Sequence, residues 1–252
     1  MKQRSVYTII APILILLVWL ISSKLNMVSS LFLPSPEKVA IEFFRLITLS
    51  EGNLLIDFLI TAIRVFAAFI AACTLGIPVG LLMGHFKKVY DSLEFVVEFF
   101  RAIPPTALFP LFLLFFGIGD LAKISIAFWG GFLIVIINSM YGIKNANKLR
   151  IKAAVIMKAS KVSLFTKVIL PEAMPQIMAG MRTALSLTLI LIVVVEMFIG
   201  TSVGLGHRII NAQLVYETPE MYSAIIMAGL LGFFLNKMFM ILERRFVHWS
   251  GK

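Results

Sequence analysis

The sequence predicts an all-α membrane protein, a polytopic bundle of about six transmembrane helices with a helical hairpin on its cytoplasmic side. Three observations carry that expectation. The chain has 252 residues, 60% of them hydrophobic and 14% charged, with a mean hydropathy of +0.98. A soluble domain carries about 45–50% apolar and about 25% charged residues, so this chain has too little polar surface to face water on all sides. Its apolar residues also gather into runs close to the roughly 20 residues that cross about 30 Å of hydrocarbon. Finally, its cations are distributed unevenly between the loops that join those runs.

The first run is 7–23, preceded by Lys2 and Arg4. No small-residue cleavage site follows it, since the chain continues Lys24-Leu25-Asn26-Met27, so it reads as a retained anchor rather than a signal peptide. Further runs occupy 58–83, 124–141, 177–201 and 221–242. Between the second and fourth lies 102–119, where Thr106–Ile118 is too short alone. Adding Ala102-Ile103-Pro104-Pro105 gives a span with its prolines in the first turns, where a missing donor costs least. Six spans are expected, or five if this segment does not cross, and 1–252 forms one transmembrane domain.

Lys and Arg accumulate on cytoplasmic loops. With the N-terminus inside, the inner segments hold Lys2, Arg4, Lys87, Lys88, Arg101, Lys144, Lys148, Arg150, Lys152, Lys158, Lys161, Lys167, Arg244, Arg245 and Lys252. The outer side holds Lys24, Lys38, Arg45, Lys123 and Arg208, mixed with Glu37, Glu42, Glu51, Asp120, Glu217 and Glu220. Fifteen cations against five place both termini in the cytoplasm. The same asymmetry accounts for the net charge of +10 without nucleic acid.

Two connectors read as amphipathic helices. After Pro34-Ser35-Pro36, Val39, Phe43, Leu46 and Ile47 fall on one stripe at the outer interface. On the inner side, Leu93, Val96, Val97 and Phe100 do the same within 91–101. Each is a connector packed on the bundle or a partner-binding element. The inner loop 143–176 is longer than a connector requires. Leu149, Ala153 and Ile156 share one face of 147–158, and Leu164, Phe165, Val168 and Ile169 share one face of 160–170. Two short helices joined near Lys158-Ala159-Ser160 follow, with Ser160 or Ser163 as N-cap and Pro171 as the stop. This hairpin is a docking element for a cytoplasmic partner or an interfacial pair held by anionic lipid.

Within the spans, Gly76, Gly80 and Gly84 recur at an interval that lets helix backbones approach closely, and Pro78 is a site for a kink. The alternative for the glycines is a gating hinge. Arg64 and Glu196 lie within spans two and five near their outer ends. An ionised group in lipid costs about 2.5–3.5 kcal/mol on insertion scales, so the two are expected to pair, as a structural clamp or as lining of a pathway. On that reading, reversing both charges restores assembly lost in either single variant. Asn138 is a polar lining group or interhelical glue, and Arg182 and Lys237 snorkel towards the inner face.

These features, in order, resemble the inner-membrane permease subunits of bacterial ATP-binding-cassette importers, in the branch that handles sulfonates, taurine, nitrate and thiamine-pyrimidine precursors. The segments that carry the resemblance begin with Leu33-Pro34-Ser35-Pro36, Leu75-Gly76-Ile77-Pro78-Val79-Gly80 and Arg101-Ala102-Ile103-Pro104-Pro105. They continue with Phe116-Gly117-Ile118-Gly119, Leu170-Pro171-Glu172-Ala173-Met174-Pro175, Val195-Glu196-Met197 and Gly204-Leu205-Gly206. In that family the inner loop carries Glu-Ala-Ala, a glycine four residues after the second alanine, and then Leu-Pro. Here Ala153, Ala154, Leu170 and Pro171 match, while Lys152 stands at the acid's place and Lys158 at the glycine's. The resemblance implies that Lys152, Ala153, Ala154, Lys158, Ala159, Ser160, Leu170 and Pro171 belong to a coupling element that inserts into an ATPase. The reversed charge at 152 points to a compensating acid on a dedicated ATPase, or to a dispensable contact.

The chain itself has no Gly-x-x-x-x-Gly-Lys-Ser/Thr phosphate loop, and Gly200, Gly204 and Gly206 lack the strand–turn–helix setting of one. No paired carboxylates, nucleophile elbow or metal-ligand helix is present. Cys73 is the one cysteine, and His85, His207 and His248 are scattered, so no metal site is expected. The expectation is therefore a non-enzymatic permease in the bacterial inner membrane with no cofactor of its own. The resemblance implies that ATP and Mg belong to two cytoplasmic ATPase subunits. It implies further that a second copy of the chain and an extracytoplasmic substrate-binding protein complete an assembly that transports a small solute by alternating access. The alternative is an ATP-independent channel or secondary transporter, for which the hairpin has no purpose.

Overall fold

The computed structural model describes residues 2–48, 53–200 and 202–247, with side chains from Ile10 onward. Glu51, Thr201, His248 and Lys252, which entered the sequence reading, lie outside the described residues, as do the side chains of Lys2 and Arg4. Among the described residues the chain is helical with no strand. Its helices are α1 (Lys2–Lys24), α2 (Pro36–Thr48), α3 (Leu54–His85), α4 (Lys87–Ala102), α5 (Phe109–Phe116) and α6 (Asp120–Lys144). They are followed by α7 (Lys148–Ile156), α8 (Lys161–Leu164), α9 (Leu170–Phe198), α10 (Leu205–Leu214) and α11 (Thr218–Phe246).

Among the described residues four helical stretches are long and apolar enough to cross a bilayer: Leu54–His85, Asp120–Lys144, Lys161–Phe198 and Thr218–Phe246. They hold the second, fourth, fifth and sixth expected spans. In α1 the described apolar part, Ile10–Lys24, is shorter than a full crossing. α1 stands at the periphery, where Trp19 donates to the Pro34 carbonyl at 3.0 Å and stacks on Tyr222.

The third expected span differs most. It is not one helix over 102–119. α4 meets the segment Pro105–Phe116 at 89°, a break set by the extended residues Ile103 and Pro104. Proline disfavours a helical residue before it, and the Pro104-Pro105 pair imposes that twice. The packing of α3 on α6 nevertheless requires a crossing here. Arg64 reaches Asp120, Gly76 meets Val135, Gly80 meets Ser139 and Gly84 meets Ile143, so residue numbers rise together and the two helices are parallel. From Arg64 to Gly84 is about 30 Å at 1.5 Å per residue. The chain leaving α3 at His85 must travel that distance back before α6 begins at Asp120. A 3₁₀ turn (Pro105–Leu108) and α5 supply about 20 Å of it. Extended residues on either side supply the rest.

α6 lies between α3 and α9, and small residues permit both contacts. A Cβ on Gly80 would lie 2.4 Å from the Ile136 carbonyl oxygen, and one on Gly84 would lie 2.7 Å from Ile143 Cβ. On the opposite face, Gly131 faces Thr188, Gly142 faces the Ala173 carbonyl, and Gly180 of α9 receives Asn138. α3 runs unbroken through Pro78. The stripe on α2 covers α11 rather than lipid: Val39 and Leu46 are buried, and Ser223 Oγ donates to the Val39 carbonyl. On α4 only Val97 is buried, while Val96 is exposed and Phe100 packs edge-on against Trp129.

Gly80→Ala should force α3 and α6 apart and lower the thermal unfolding midpoint in detergent, at an overpacking cost of about 1–3 kcal/mol. Gly229→Ala in α11, where nothing lies within 4 Å, should not lower it. Equal effects of the two substitutions would contradict close packing at Gly80.

Candidate functional site: a buried ionic clamp and a basic helical lever

Two groups of residues at opposite ends of the bundle carry the chemistry. The first surrounds Glu196, 1% exposed, in the last turn of α9. A bare carboxylate in that setting is strongly disfavoured, and this one is fully satisfied. Arg64 Nη1 donates to its Oε1 at 2.6 Å, the Thr61 hydroxyl reaches it at 2.9 Å, and Gly206 N–H donates to its Oε2 at 3.0 Å. Arg64 continues to Asp120, with Nη2 to Oδ1 at 2.7 Å, and to the Val203 carbonyl at 2.9 Å. Lys123 is wholly buried and interacts electrostatically with Arg64, Glu196 and Asp120.

Asp57, one turn before Thr61, accepts from Gly204 N–H at 2.7 Å and from Arg208 Nε at 2.5 Å. Arg208 Nη1 then reaches Glu220 at the start of α11, at 2.6 Å. Leu205 N–H donates to Thr61 Oγ1 at 2.9 Å. Three successive amides, Gly204, Leu205 and Gly206, thus open α10 onto the side chains of α3 and α9. Unpaired amides at a helix start attract negative charge, and here the protein's own carboxylates and a hydroxyl occupy them. Gly204 has φ +134°, and a Cβ there would lie 2.6 Å from Glu196 Cδ; a Cβ on Gly206 would lie 2.1 Å from the Val193 carbonyl. Both glycines are required by the close approach.

The expected pairing of Arg64 with Glu196 is therefore present, inside a larger network of three cations and four carboxylates that joins α3, α6, α9, α10 and α11. Both residues are buried within the chain itself, which makes them a clamp rather than the wall of an open path. The reciprocal charge reversal is corrected by this geometry. An arginine at 196 would face Thr61, Gly206 N–H and Lys123, and a glutamate at 64 would face Asp120. Lys123, Arg208, Asp120 and Glu220, counted from the sequence as outer-loop charges, belong to the clamp, and so do the unforeseen Asp57 and Thr61. The spacing of Asp57, Thr61 and Arg64 at i, i+4 and i+7 on one face of α3 was the available signal.

Away from the clamp, Asn138 accepts from Gln176 Nε2 at 2.8 Å and donates to the Ile134 carbonyl, which ties α6 to α9. Arg182 does not snorkel. Its Nε donates to Asn236 Oδ1 at 2.8 Å and joins α9 to α11.

The second group is the helical hairpin. Asn147 caps α7, with its side chain accepting from Leu149 N–H at 2.9 Å. α7 closes at Lys158, whose φ of +59° is left-handed and whose amide donates to the Val155 carbonyl at 2.9 Å. The turn that glycine makes in the resembling motif is thus made here by a lysine. Ser160 caps the next helix, accepting from Ser163 N–H at 3.2 Å, so Ser163 is not the cap. Pro171 does not stop that helix. A π turn over Phe165–Ile169, in which Leu170 N–H donates to the Phe165 carbonyl, widens the helix, and Lys161–Phe198 runs on as one stretch. The fifth span and the hairpin's second arm are therefore one continuous helix of 38 residues. α7 is tied to it by Arg150 and Glu172 at 2.5 Å, and by Ile151 packed near Ile169 and Ala173. Lys152, Ala153 and Lys158 are exposed, while Ala154, Ala159, Leu170 and Pro171 are half-buried.

The family described as binding-protein-dependent transport system inner membrane component matches residues 76–249. The chain belongs to this family. Among its relatives, the taurine transport system permease protein TauC of Escherichia coli (strain K12) is 31% identical over 99% of this chain and 92% of its own length. The putative aliphatic sulfonates transport permease protein SsuC of the same strain is 33% identical over 95% of this chain and 90% of its own length. The nitrate import permease protein NrtB of Synechocystis sp. (strain PCC 6803) is 30% identical over 84% and 79%. Among solved structures, an inward-facing MetNI methionine ABC transporter chain superimposes with a TM-score of 0.67 at 20% identity, covering 79% of this chain and 99% of that one. The family and these relatives identify an all-α, multi-pass membrane transport component of the taurine, sulfonate and nitrate branch.

Glu196→Gln should destabilise the folded chain by about 1.5–3 kcal/mol, because it removes the carboxylate shared by Arg64 Nη1, the Thr61 hydroxyl and Gly206 N–H, while Arg64 keeps its pair with Asp120. The reciprocal swap Arg64→Glu with Glu196→Arg should be no more stable than either single variant, as read by thermal unfolding in detergent. In the hairpin, Lys158→Gly should raise the unfolding midpoint modestly and Lys158→Val should lower it. A left-handed conformation costs about 1–2 kcal/mol for a residue with a Cβ and is most strained for a β-branched one. Equal tolerance of Gly and Val would contradict the left-handed turn.

Proposed function

We propose that this chain is the pathway-forming permease of an ATP-driven importer for a small anion of the sulfonate or nitrate type, or for a thiamine-pyrimidine precursor. The observation that carries the proposal is the continuous helix from Lys161 to Phe198, with α7 fastened to its basic end by Arg150 and Glu172. A rigid helix that joins an exposed tip to the bundle transmits displacement, whereas a flexible connector would absorb it.

In this reading both termini and the hairpin are cytoplasmic, in line with the fifteen cations against five. Two permease copies enclose the route. Two ATPase subunits hold ATP and Mg and receive the hairpins, with Ala153, Ala154, Ala159 and Ser160 at the contact and Leu170 and Pro171 at the root of the lever. A substrate-binding protein delivers the solute at the clamped end. The names of the relatives support the sulfonate and nitrate type, the thiamine-pyrimidine precursor rests on the resemblance alone, and selection rests largely with the binding protein.

Co-expression with its ATPase should yield a co-purifying complex, and uptake in proteoliposomes should require ATP. Ala154→Arg, at a half-buried position beside Met157 and Val168, should abolish ATP-driven uptake while the permease still folds and inserts. Uptake that continues without ATP, or unchanged after this substitution, would overturn the reading.

A further inference from the structure

The hairpin's tip has a chemistry of its own. Between Asn147 and Pro171 there are six cations and no carboxylate. The nearest acid, Glu172, is engaged by Arg150. Among the described residues no ion pair involves Lys148, Lys152, Lys158, Lys161 or Lys167. Large apolar side chains stand beside them: Ile156 is 81% exposed, Met157 82% and Val162 73%.

The arrangement of these side chains separates two classes of partner. A helix that lies on a bilayer segregates its apolar face from its cations. α7 does not. Leu149, Lys152 and Ile156 follow at i, i+3 and i+7 on one outward face, so the cation sits between the two apolar residues, and Ile151 on another face packs inward. Seating such a face in lipid would bury Lys152 with Leu149 and Ile156. A cleft with an apolar floor and a carboxylate at its centre accepts all three, because charge complementarity offsets the loss of water.

We infer that the tip is received by a protein cleft whose rim is acidic, and that Lys152 pairs there with an Asp or Glu of the ATPase. This rests on the function proposed above and narrows it. The chain is matched to a dedicated ATPase by charge, and an ATPase cleft built with a cation to receive an acid at this position is rejected.

The test uses the co-expressed permease–ATPase complex. Zero-length carbodiimide coupling should join Lys152 to a carboxylate of the ATPase, identified by mass spectrometry of the linked peptide. Binding of the detergent-solubilised permease to its ATPase should weaken as salt rises, and Lys152→Glu should weaken it roughly tenfold or more at low salt. Lysine in place of the cross-linked acid on the ATPase should restore binding of Lys152→Glu. Lys152 is exposed, so unchanged thermal unfolding of the variant serves as the control for folding. If the ATPase binds but neither salt nor Lys152→Glu alters the affinity, the inference fails and the proposed function stands. It fails likewise if Lys152→Glu reduces only binding of the permease to vesicles containing anionic phospholipid. If no ATPase binds the wild-type chain, both fail.

Discussion

A carboxylate buried at the end of a membrane helix constrains the rest of this fold. The buried Glu196 carboxylate is satisfied because Arg64, Thr61 and the Gly206 amide all point at it, and these come from α3 and from the start of α10. That requirement fixes the ends of α3 and α9 against each other, draws α10 across them, and allows only glycine at 204 and 206. Arg64 extends the same condition to Asp120 at the start of α6, and Asp57 extends it through Arg208 to α11. Arg64 and Arg208 each bridge two carboxylates, so the loss of either cation disturbs two acids on different helices at once and the bonds of the network are coupled.

The opposite end is organised differently. There the contacts of α6 with α3 and α9 depend on shape, through Gly80, Gly84, Gly142 and Gly180, and ionic ties are fewer. α9 joins the two regimes. Its C-terminal end is held by the clamp, and its N-terminal end is joined through a π turn to the hairpin. Pro171 lies directly after a turn that already departs from the i to i−4 pattern, and the helix continues past it as α3 continues past Pro78.

How much of this could be read from the sequence depended on whether the signal was local. The apolar runs of α3, α6, α9 and α11 were legible because bilayer thickness dictates their length, and the Gly76-Gly80-Gly84 interval was legible because helix geometry dictates its spacing. The resemblance placed Lys158 at a turn position, and the backbone there is left-handed. Lys123 and Arg208 were misread as loop charges, because a cation near the end of an apolar run looks the same whether it faces water or a buried acid from a distant helix. Pro171 was misread as a stop because residue-by-residue rules assume an α-helix before it. The third span was placed where the chain returns to the other end of the bundle, a return that follows from the parallel packing of α3 and α6 and that no single segment encodes, and it is broken at Pro104-Pro105.

The clamp also bears on where an anionic solute can be recognised. The start of α10 offers three consecutive amide donors, the kind of site that binds sulfonate-like or nitrate-like groups in other settings. In this chain Gly204 N–H is bound to Asp57, Leu205 N–H to Thr61 and Gly206 N–H to Glu196. A solute could displace these groups only by leaving two carboxylates in a buried site, at a cost of several kcal/mol per ion. The Gly-Leu-Gly motif therefore serves the protein's own architecture. On the function proposed above, recognition of an anionic solute would use other donors, in line with a separate binding protein making most of the selection.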